Sequence, residues 1–540
     1  MNHEARANWL RIWGLPLALL LLVTVGLGSY YETNDDFVIT LLLRGRTAAA
    51  PVTNLHLYFH GWAWLLATLY QQWPMVPWYG LVLYALLYLA LVLLAAVLDA
   101  LLRPYLGGRA RTACLALFLL MAGLEHFMWF NYVRVPLLLG GAAVLAAAQR
   151  QAGRKYQGRV LLLASLAFAA AWAIRPSAAV LALAVVAPVA AWLAGWQRGW
   201  RAVAAAACIA LVGGLALQLN RTEQTKRYRQ LDVLKSNVND YQLYVSKPNN
   251  PADDLGVRAV QQWVLGDSTL VNEALFERAF QPNSKFFPYT AATKLKAVAS
   301  QLARDYFQLL LLNALLGLWG WWCLPRAKRW PWLLYLLGAG LLLLGLGVVL
   351  KLPPRLAGPL LTLLTVANVA VVLQAPQDMH QLRYLGPRRM LLGLAVIVGG
   401  LYGYKVLHRR SVLAAEEAEH SRLLQRVQRQ AQGKVLVAAG LEEVFKSLSP
   451  FRQYVNSSGT PWLLVVGWNT LDPSQARLRQ HLTGTSSQAE ALRRLSMRPD
   501  AVLYLPQGAE VAPFWRAYLY NWVRAEWPTA RTVSEPEVQP

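Results

Sequence analysis

Runs of about 20 predominantly apolar residues, separated by short basic turns, recur along this chain. A run of that kind satisfies its backbone polar groups by coiling into a helix, and a helix of that length crosses the hydrocarbon layer of a bilayer. Eleven runs fit: Ile12–Tyr31, Trp78–Leu102, Thr112–Phe130, Val133–Ala148, Val160–Ile174, Ala178–Gly195, Ala202–Leu219, Tyr306–Leu324, Trp332–Leu350, Leu356–Leu373 and Met390–Val406. Only 15% of the 540 residues are charged and 56% are hydrophobic, which excludes both a wholly water-soluble protein and a disordered basic tail. Gly28-Ser29-Tyr30-Tyr31 makes a poor cleavage site, so the first run reads as a retained span rather than a signal peptide.

The basic residues orient the spans. With the N-terminus in the cytoplasm, the cytoplasmic segments carry Arg6, Arg11, Arg103, Arg109, Arg111, Arg150, Arg154, Lys155, Arg159, Arg198, Arg201, Arg326, Lys328, Arg329, Arg383, Arg388 and Arg389. The short outer turns carry only Arg44, Arg46, Arg134, Arg175, Lys351 and Arg355, as positive-inside loops require. Leu55–Trp73 would break this alternation as a span, so it reads as a helix lying at the outer interface, where Tyr58, Trp62, Trp64 and Trp73 are at home. The net charge of +24 is therefore mainly a topology signal, and nucleic acid drops out as a partner. No organelle or retention signal stands at Val538-Gln539-Pro540, which favours a bacterial plasma membrane.

Four parts follow: a membrane module over 1–219 with an acidic first outer loop, an outer loop over 220–304, further spans over 305–407, and a polar region over 408–540. The last region opens with a charged helix near Leu413–Gln432. It then alternates expected strands at Lys434–Val437, Trp462–Val466 and Ala501–Leu505 with helices at Glu442–Leu448, Pro473–His481, Gln488–Leu495 and Pro513–Trp527. The fold class is thus a polytopic α-helical membrane protein of about eleven transmembrane helices with a small extracytoplasmic α/β C-terminal domain. No G-x-G-x-x-G turn follows the first strand, so no dinucleotide site is expected. Cys114, Cys208 and Cys323 fall within spans and read as core packing.

Candidate chemistry gathers on the outer side. Tyr30-Tyr-Glu-Thr-Asn-Asp-Asp-Phe37 puts three carboxylates and Asn34 beside the first span. A carboxylate against low-dielectric walls serves as a general base or holds a divalent cation such as Mg or Mn, although an acidic cluster there also simply ends a helix in water. Glu125-His126 ends the third span, Asn131 and Arg134 follow at the next turn, Arg175-Pro176 marks the turn after the fifth, and Lys351 and Arg355 flank Pro353-Pro354. Each arginine alone suits snorkelling to headgroups, but their convergence with Asp35 and Asp36 suits a substrate with a phosphate leaving group. His56 and His60, four apart, form at most a weak metal pair, and packing suits them better. Asp99 pairs with Arg103 at i, i+4, while Asp253, Asp254 and Asp267 are substrate contacts or solvated charges. The aromatic residues read as interfacial belts.

This layout resembles the GT-C superfamily of integral-membrane glycosyltransferases, carried by Asn34-Asp35-Asp36, the interfacial Leu55–Trp73, Glu125-His126 with Arg134, and Ile174-Arg175-Pro176. The resemblance covers roughly the first 220 residues in motif and the remainder in architecture. It implies a polyprenyl-phosphate-linked sugar donor and an extracytoplasmic glycan, lipid or protein acceptor, among membrane lipids. Asp35 or Asp36 would activate the acceptor hydroxyl, assisted by Glu125 or His126. Arg134, Arg175 or Arg355 would hold the lipid phosphate, with Asn34, His60, Asn131 and Lys351 as further substrate contacts. The alternatives are a lipid-linked saccharide flippase and a membrane assembly protein; no internal symmetry of the transporter kind is visible.

Overall fold

The computed structural model describes residues 3–151, 157–373, 388–455, 459–506, 511–528 and 531–533. Arg154, Lys155 and Arg383 of the expected basic segments, and Val538-Gln539-Pro540, lie outside the described residues, as do the side chains of Arg150, Arg198, Arg388 and Arg389. The chain is a polytopic helical protein. Among the described residues, seven helices are long and apolar enough to cross a membrane: Arg6–Leu27, Trp78–Leu102, Gly108–Met128, Pro176–Ala194, Gly199–Leu219, Arg326–Val349 and Pro354–Val372. Phe286–Asp305 and Phe307–Cys323, bent by 91° at their junction, make an eighth if taken together. Arg134–Gln149 and Gly158–Ile174, two of the expected spans, are shorter apolar helices.

The eleventh run is not a separate element. One helix runs unbroken over 43 residues, Arg388–Gln430, and joins Met390–Val406 to the charged helix expected near Leu413–Gln432, across the boundary expected at 408. No proline interrupts it, and its exposed face changes from Val396, Ile397, Leu401 and Tyr404 to Arg410 and Arg422 without a backbone break.

The helix Trp78–Leu102 shows how the two ends of the bundle are fixed. Near its start, Tyr79 donates to Asp36 at 2.9 Å. Twenty residues on, roughly 30 Å at 1.5 Å per residue, Asp99 accepts from Arg11 at 3.1 Å and from Arg111 at 3.0 Å. Arg103, the i, i+4 partner expected from sequence, stands at 3.7 Å and is the most distant of the three arginines. Residues from three segments therefore meet at one end of this helix and the acidic loop meets the other.

After the first helix, Gly28 turns the chain at φ +88, where an added Cβ would lie 2.3 Å from the Tyr30 hydroxyl. Strand β1 (Tyr30–Tyr31) then pairs in parallel with β2 (Trp129–Phe130). The acidic residues do not form an open loop: Asp35–Leu43 is a helix, and Asp36 through Leu43 are all buried. The interfacial helix is shorter than expected, covering Trp62–Gln72. His56 and Phe59 hold positive φ ahead of it, so His56 and His60 do not share a helix face. The three cysteines, expected in the core, are all exposed on the helical surface.

Outside the helices, β3 (Tyr244–Ser246) and β4 (Phe280–Pro282) form an antiparallel pair. The strands β5 (Val435–Ala438), β6 (Trp462–Leu464), β7 (Ala501–Tyr504) and β8 (Thr532–Val533) form a parallel sheet in the order β6-β5-β7-β8. Its two faces follow the two-residue period of a strand. Leu436, Ala438, Trp462, Leu464, Val502 and Tyr504 join the core that contains the 35–43 helix and the membrane-length helices. Val435, Val437, Leu463, Val465, Ala501 and Leu503 join a second core with Val257, Leu265, Leu275 and Phe276 of the 220–304 segment. Thus the sheet is the middle layer between the 35–43 helix and the 220–304 segment, with β5 placed so that neither face meets water.

Candidate functional site

The short β1–β2 ladder brings two distant turns together, since Glu32 N–H extends it by donating to the Phe130 carbonyl at 2.7 Å. Asp36 sits at the start of the buried helix and has no exposed surface. Its Oδ1 accepts from Tyr79 Oη and from the Tyr132 N–H, both at 2.9 Å, and its Oδ2 accepts from Asn131 Nδ2 at 2.7 Å. Burial pushes this carboxyl well above the ordinary range, opposed by the Tyr79 and Tyr132 donors and the Arg355 charge. A carboxylate sealed in this way, with three donors on it, ties the loops together and has no route to a substrate hydroxyl.

Asp35 differs. It is half-buried, its Oδ1 accepts from Trp468 Nε1 at 2.8 Å, and its Oδ2 has only a 3.3 Å contact from Thr33. Trp468 lies just beyond β6 and packs edge-on against Tyr58, with 5.6 Å between ring centres. Tyr58 in turn lies 5.7 Å from Tyr132. Arg175 donates to Tyr132 Oη and stands 5.7 Å over its ring. Burial pushes the Tyr132 phenol up to about 12, partly offset by Arg175. The Arg175 guanidinium is held more firmly protonated by Tyr132 against the opposing effect of burial, with Tyr58 and Asp35 adding to it. Asp35, Arg175 and an aromatic wall of Tyr58, Tyr132 and Trp468 therefore form one constellation. The aromatic residues read from sequence as interfacial belts include, at these positions, a wall beside a carboxylate.

Beside it lies a buried charge network. Arg134 is fully buried and donates to Glu32 Oε2 at 2.6 Å, while Glu32 Oε1 accepts from the Arg355 backbone N–H at 3.0 Å. His126 stands between Arg134, at 3.1 Å, and the Thr362 hydroxyl, at 3.1 Å. Glu125 is bound by Lys405 at 2.5 Å and Arg409 at 3.4 Å, and Arg409 also reaches Asp305 at 2.8 Å. Trp129 carries Arg134 over its ring at 5.9 Å and Arg409 at 4.3 Å. Arg134, Glu125 and His126 are thus engaged internally, with no surface to offer a lipid phosphate or an acceptor.

The remaining expected residues separate. Asn34 precedes the buried helix, where its carbonyl accepts from Val38 N–H at 3.1 Å and its side chain makes no capping bond. Asn131 holds Asp36 and Thr33. Arg355 is half-buried near Glu32, whereas Lys351 is exposed and pairs with Asp240 at 3.3 Å. His60 packs near Trp172, 6.1 Å between ring centres, and burial pushes its imidazole down to about 4, helped by the Arg221 and His56 charges. His56 bonds the Thr225 hydroxyl at 2.9 Å. Asp253 pairs with Arg278 at 3.0 Å and Asp267 accepts from Tyr518 at 2.7 Å, both aspartates being buried, whereas Asp254 pairs with Arg258 on the exposed surface of its helix.

A divalent cation does not fit the donors. Among the described residues no three His, Cys, Asp or Glu side chains converge, and Asp36 and Glu32 already have their oxygens engaged. Sequence reasoning overlooked Trp468, Tyr132, Tyr79, Lys405 and Arg409. A single signal was available, since Lys405 is an ionisable residue within an apolar run and such residues usually have a buried partner. No family model, no curated protein and no solved structure matches the chain.

Proposed function

We propose that this chain is a membrane glycosyltransferase moving a sugar from a polyprenyl-phosphate-linked donor to an extracytoplasmic glycan, lipid or protein. The observation that carries the proposal is Asp35: a half-buried carboxylate fixed through one oxygen by Trp468, beside the Arg175–Tyr132 pair. In this reading Asp35 Oδ2 accepts the proton of the acceptor hydroxyl. The resulting oxygen attacks the anomeric carbon, and the bond from that carbon to the phosphate oxygen breaks with its electron pair leaving on the lipid phosphate. Arg175 and Arg355 stabilise the departing phosphate as permanent cations. The aromatic wall of Tyr58, Tyr132 and Trp468 gives the sugar rings an apolar face and excludes water. Asp36, Asn131 and Tyr79 are positioning residues that hold the helix bearing Asp35.

The same reading takes all eleven apolar runs as spans and the N-terminus as cytoplasmic. The Asp99 cluster with Arg11, Arg103 and Arg111 then marks the cytoplasmic end in a plasma membrane. The sheet and residues 408–533 form an extracytoplasmic α/β domain over Asp35.

The test is Asp35→Asn in the full chain, assayed for transfer from polyprenyl-phosphate-linked sugars in membranes and for surface glycans. Loss of transfer by at least about 100-fold is expected, the usual scale for removing a general base. Unchanged transfer or glycans at normal protein levels would refute the proposal and leave a flippase or assembly protein.

A further inference from the structure

A polar cavity of about 290 Å³ lies between the end of the first membrane-length helix and the 388–430 helix. Tyr30, Arg410, Glu417, Ser449, Phe451 and Arg452 line it together with residues 24–29. It shares no lining residue with the Asp35 constellation, so it stands independently of the proposed transferase activity.

Its level relative to a bilayer follows from the two helices that flank it. On the first, Leu21 and Leu22 are exposed just before the cavity begins, and Val25, one of its lining residues, is 83% exposed. On the last, Leu401, Tyr404 and Leu407 are exposed, and Arg410 follows within one turn. The 388–430 helix changes from exposed apolar residues to Arg410 and Glu417 at the cavity, and the first helix ends there at Leu27 before Gly28 and Ser29, which is where a hydrocarbon layer gives way to headgroups.

The charges are specific as well as well placed. Arg410 has no ion-pair partner among the described residues and is exposed. Arg452 touches Glu417 at 3.1 Å, and Glu417 also accepts from Tyr454 Oη at 2.5 Å. Two guanidiniums and one carboxylate around one space match a group carrying a phosphate and an ammonium. A space of 290 Å³, roughly ten water volumes, holds such a group. An isolated guanidinium at an interface meets lipid phosphates anyway; an open cleft that adds a carboxylate distinguishes one headgroup from another.

We propose that this cavity binds the headgroup of a phospholipid at the membrane interface, a phosphodiester bearing a primary amine. Arg410 and Arg452 take the phosphate, Glu417 takes the ammonium, and the acyl chains lie against the apolar residues that both helices expose beside it.

The experiment uses the full chain in nanodiscs of equal phosphatidylethanolamine, phosphatidylglycerol and phosphatidylcholine, followed by gentle detergent extraction and native mass spectrometry. Phosphatidylethanolamine should be retained roughly tenfold over phosphatidylcholine, whose quaternary ammonium has no N–H to donate. Arg410→Gln should lower retention about tenfold, and because Arg410 pairs with no other residue described, this variant keeps the fold. Glu417→Gln should abolish the preference for the amine while leaving a bound phospholipid. Lipids retained in the supplied proportions, a preference for phosphatidylglycerol, or wild-type retention by Arg410→Gln would overturn the proposal. A last arm adds inorganic phosphate to the lipid-loaded protein at tens of millimolar: retention of the lipid is expected, and displacement would assign the cavity to free phosphate instead.

Discussion

Replacing Asp36 separates the framework of the site from its chemistry. Asp36→Ala leaves three buried donor hydrogens without an acceptor: those of Tyr79 Oη and the Tyr132 N–H, and one of the two on Asn131 Nδ2, whose other bonds Thr33. An unpaired buried donor costs about 1–3 kcal/mol, so three together, less the desolvation the carboxylate no longer bears, give a loss of roughly 3–6 kcal/mol. Asp36→Asn keeps an oxygen for two of the donors but turns an NH₂ group toward the Asn131 amide, for a smaller loss of about 1–3 kcal/mol. Asp35→Asn keeps an oxygen for Trp468 and faces no second buried donor, so it should unfold with the native protein. Thermal unfolding of the detergent-extracted chain, followed by tryptophan fluorescence, should therefore rank Asp36→Ala lowest, Asp36→Asn next, and Asp35→Asn level with wild type. Transfer should fail in Asp35→Asn although its fold is intact. If Asp36→Ala melts within a degree of wild type, or Asp35→Asn melts as early as Asp36→Ala, the division into a positioning and a reactive carboxylate is wrong.

Other perturbations test the surroundings. Asp99→Asn leaves Arg11 and Arg111, each 6% exposed, without their carboxylate, and should cost about 3–5 kcal/mol, seen as a lower yield of monodisperse protein and earlier unfolding. Burial pushes the Glu442 carboxyl up to about 8, so the folded chain keeps a proton that the unfolded chain sheds above its ordinary value near 4.5. That contribution to stability is complete below about 4.5 and is lost as pH rises through 8. Glu442→Gln should accordingly raise the unfolding temperature at pH 8.5 and leave it nearly unchanged at pH 4.5; a uniform shift at both would contradict the burial argument. At Gly80, an added Cβ would stand 2.4 Å from the Pro450 carbonyl oxygen. Gly80→Ala should therefore cost about 1–3 kcal/mol despite the better helix propensity of alanine, and should speed proteolysis around Phe451, measured by limited digestion.

Much of the fold was legible because the signals were local. Among the described residues, apolar length located the seven helices long enough to cross a membrane, and short apolar runs located β5, β6 and β7 to within a residue or two. The bounds that failed depended on neighbours. Leu413 did not begin a new helix because nothing in the sequence between Val406 and Leu413 stops the previous one. The Leu55–Trp73 helix lost its first turns to a backbone anchored elsewhere, with Phe59 and His60 donating to the Ile174 and Ala173 carbonyls at 2.9 and 2.7 Å. At the site, residue types indicated a cluster on one side, and the turns bearing Asp36, Asn131 and Arg175 do converge. Periodicity carried no information on which members are sealed. Asp35 and Asp36 are adjacent in sequence, yet helix geometry turns one toward Tyr79 and Asn131 and the other toward Trp468, a residue 433 positions away. The Glu32–Arg134 pair likewise depends on a two-residue ladder too short to have a sequence signature.

The middle-layer position of the sheet has a consequence for how the chain is made. Arg46, just past the buried 35–43 helix, bonds the carbonyl of Gly459, 413 residues later. At a synthesis rate of about 5–20 residues per second, that interval lasts roughly 20–80 s. Throughout it, Phe37 to Leu43, all apolar but Thr40, are among the first residues delivered and lack the sheet that will cover them. The early helix must wait at the membrane surface or in the grip of a chaperone until β5 to β7 arrive. A chain stalled before residue 435 would therefore present a sticky apolar helix, and such truncated products should be the ones that aggregate or are degraded first.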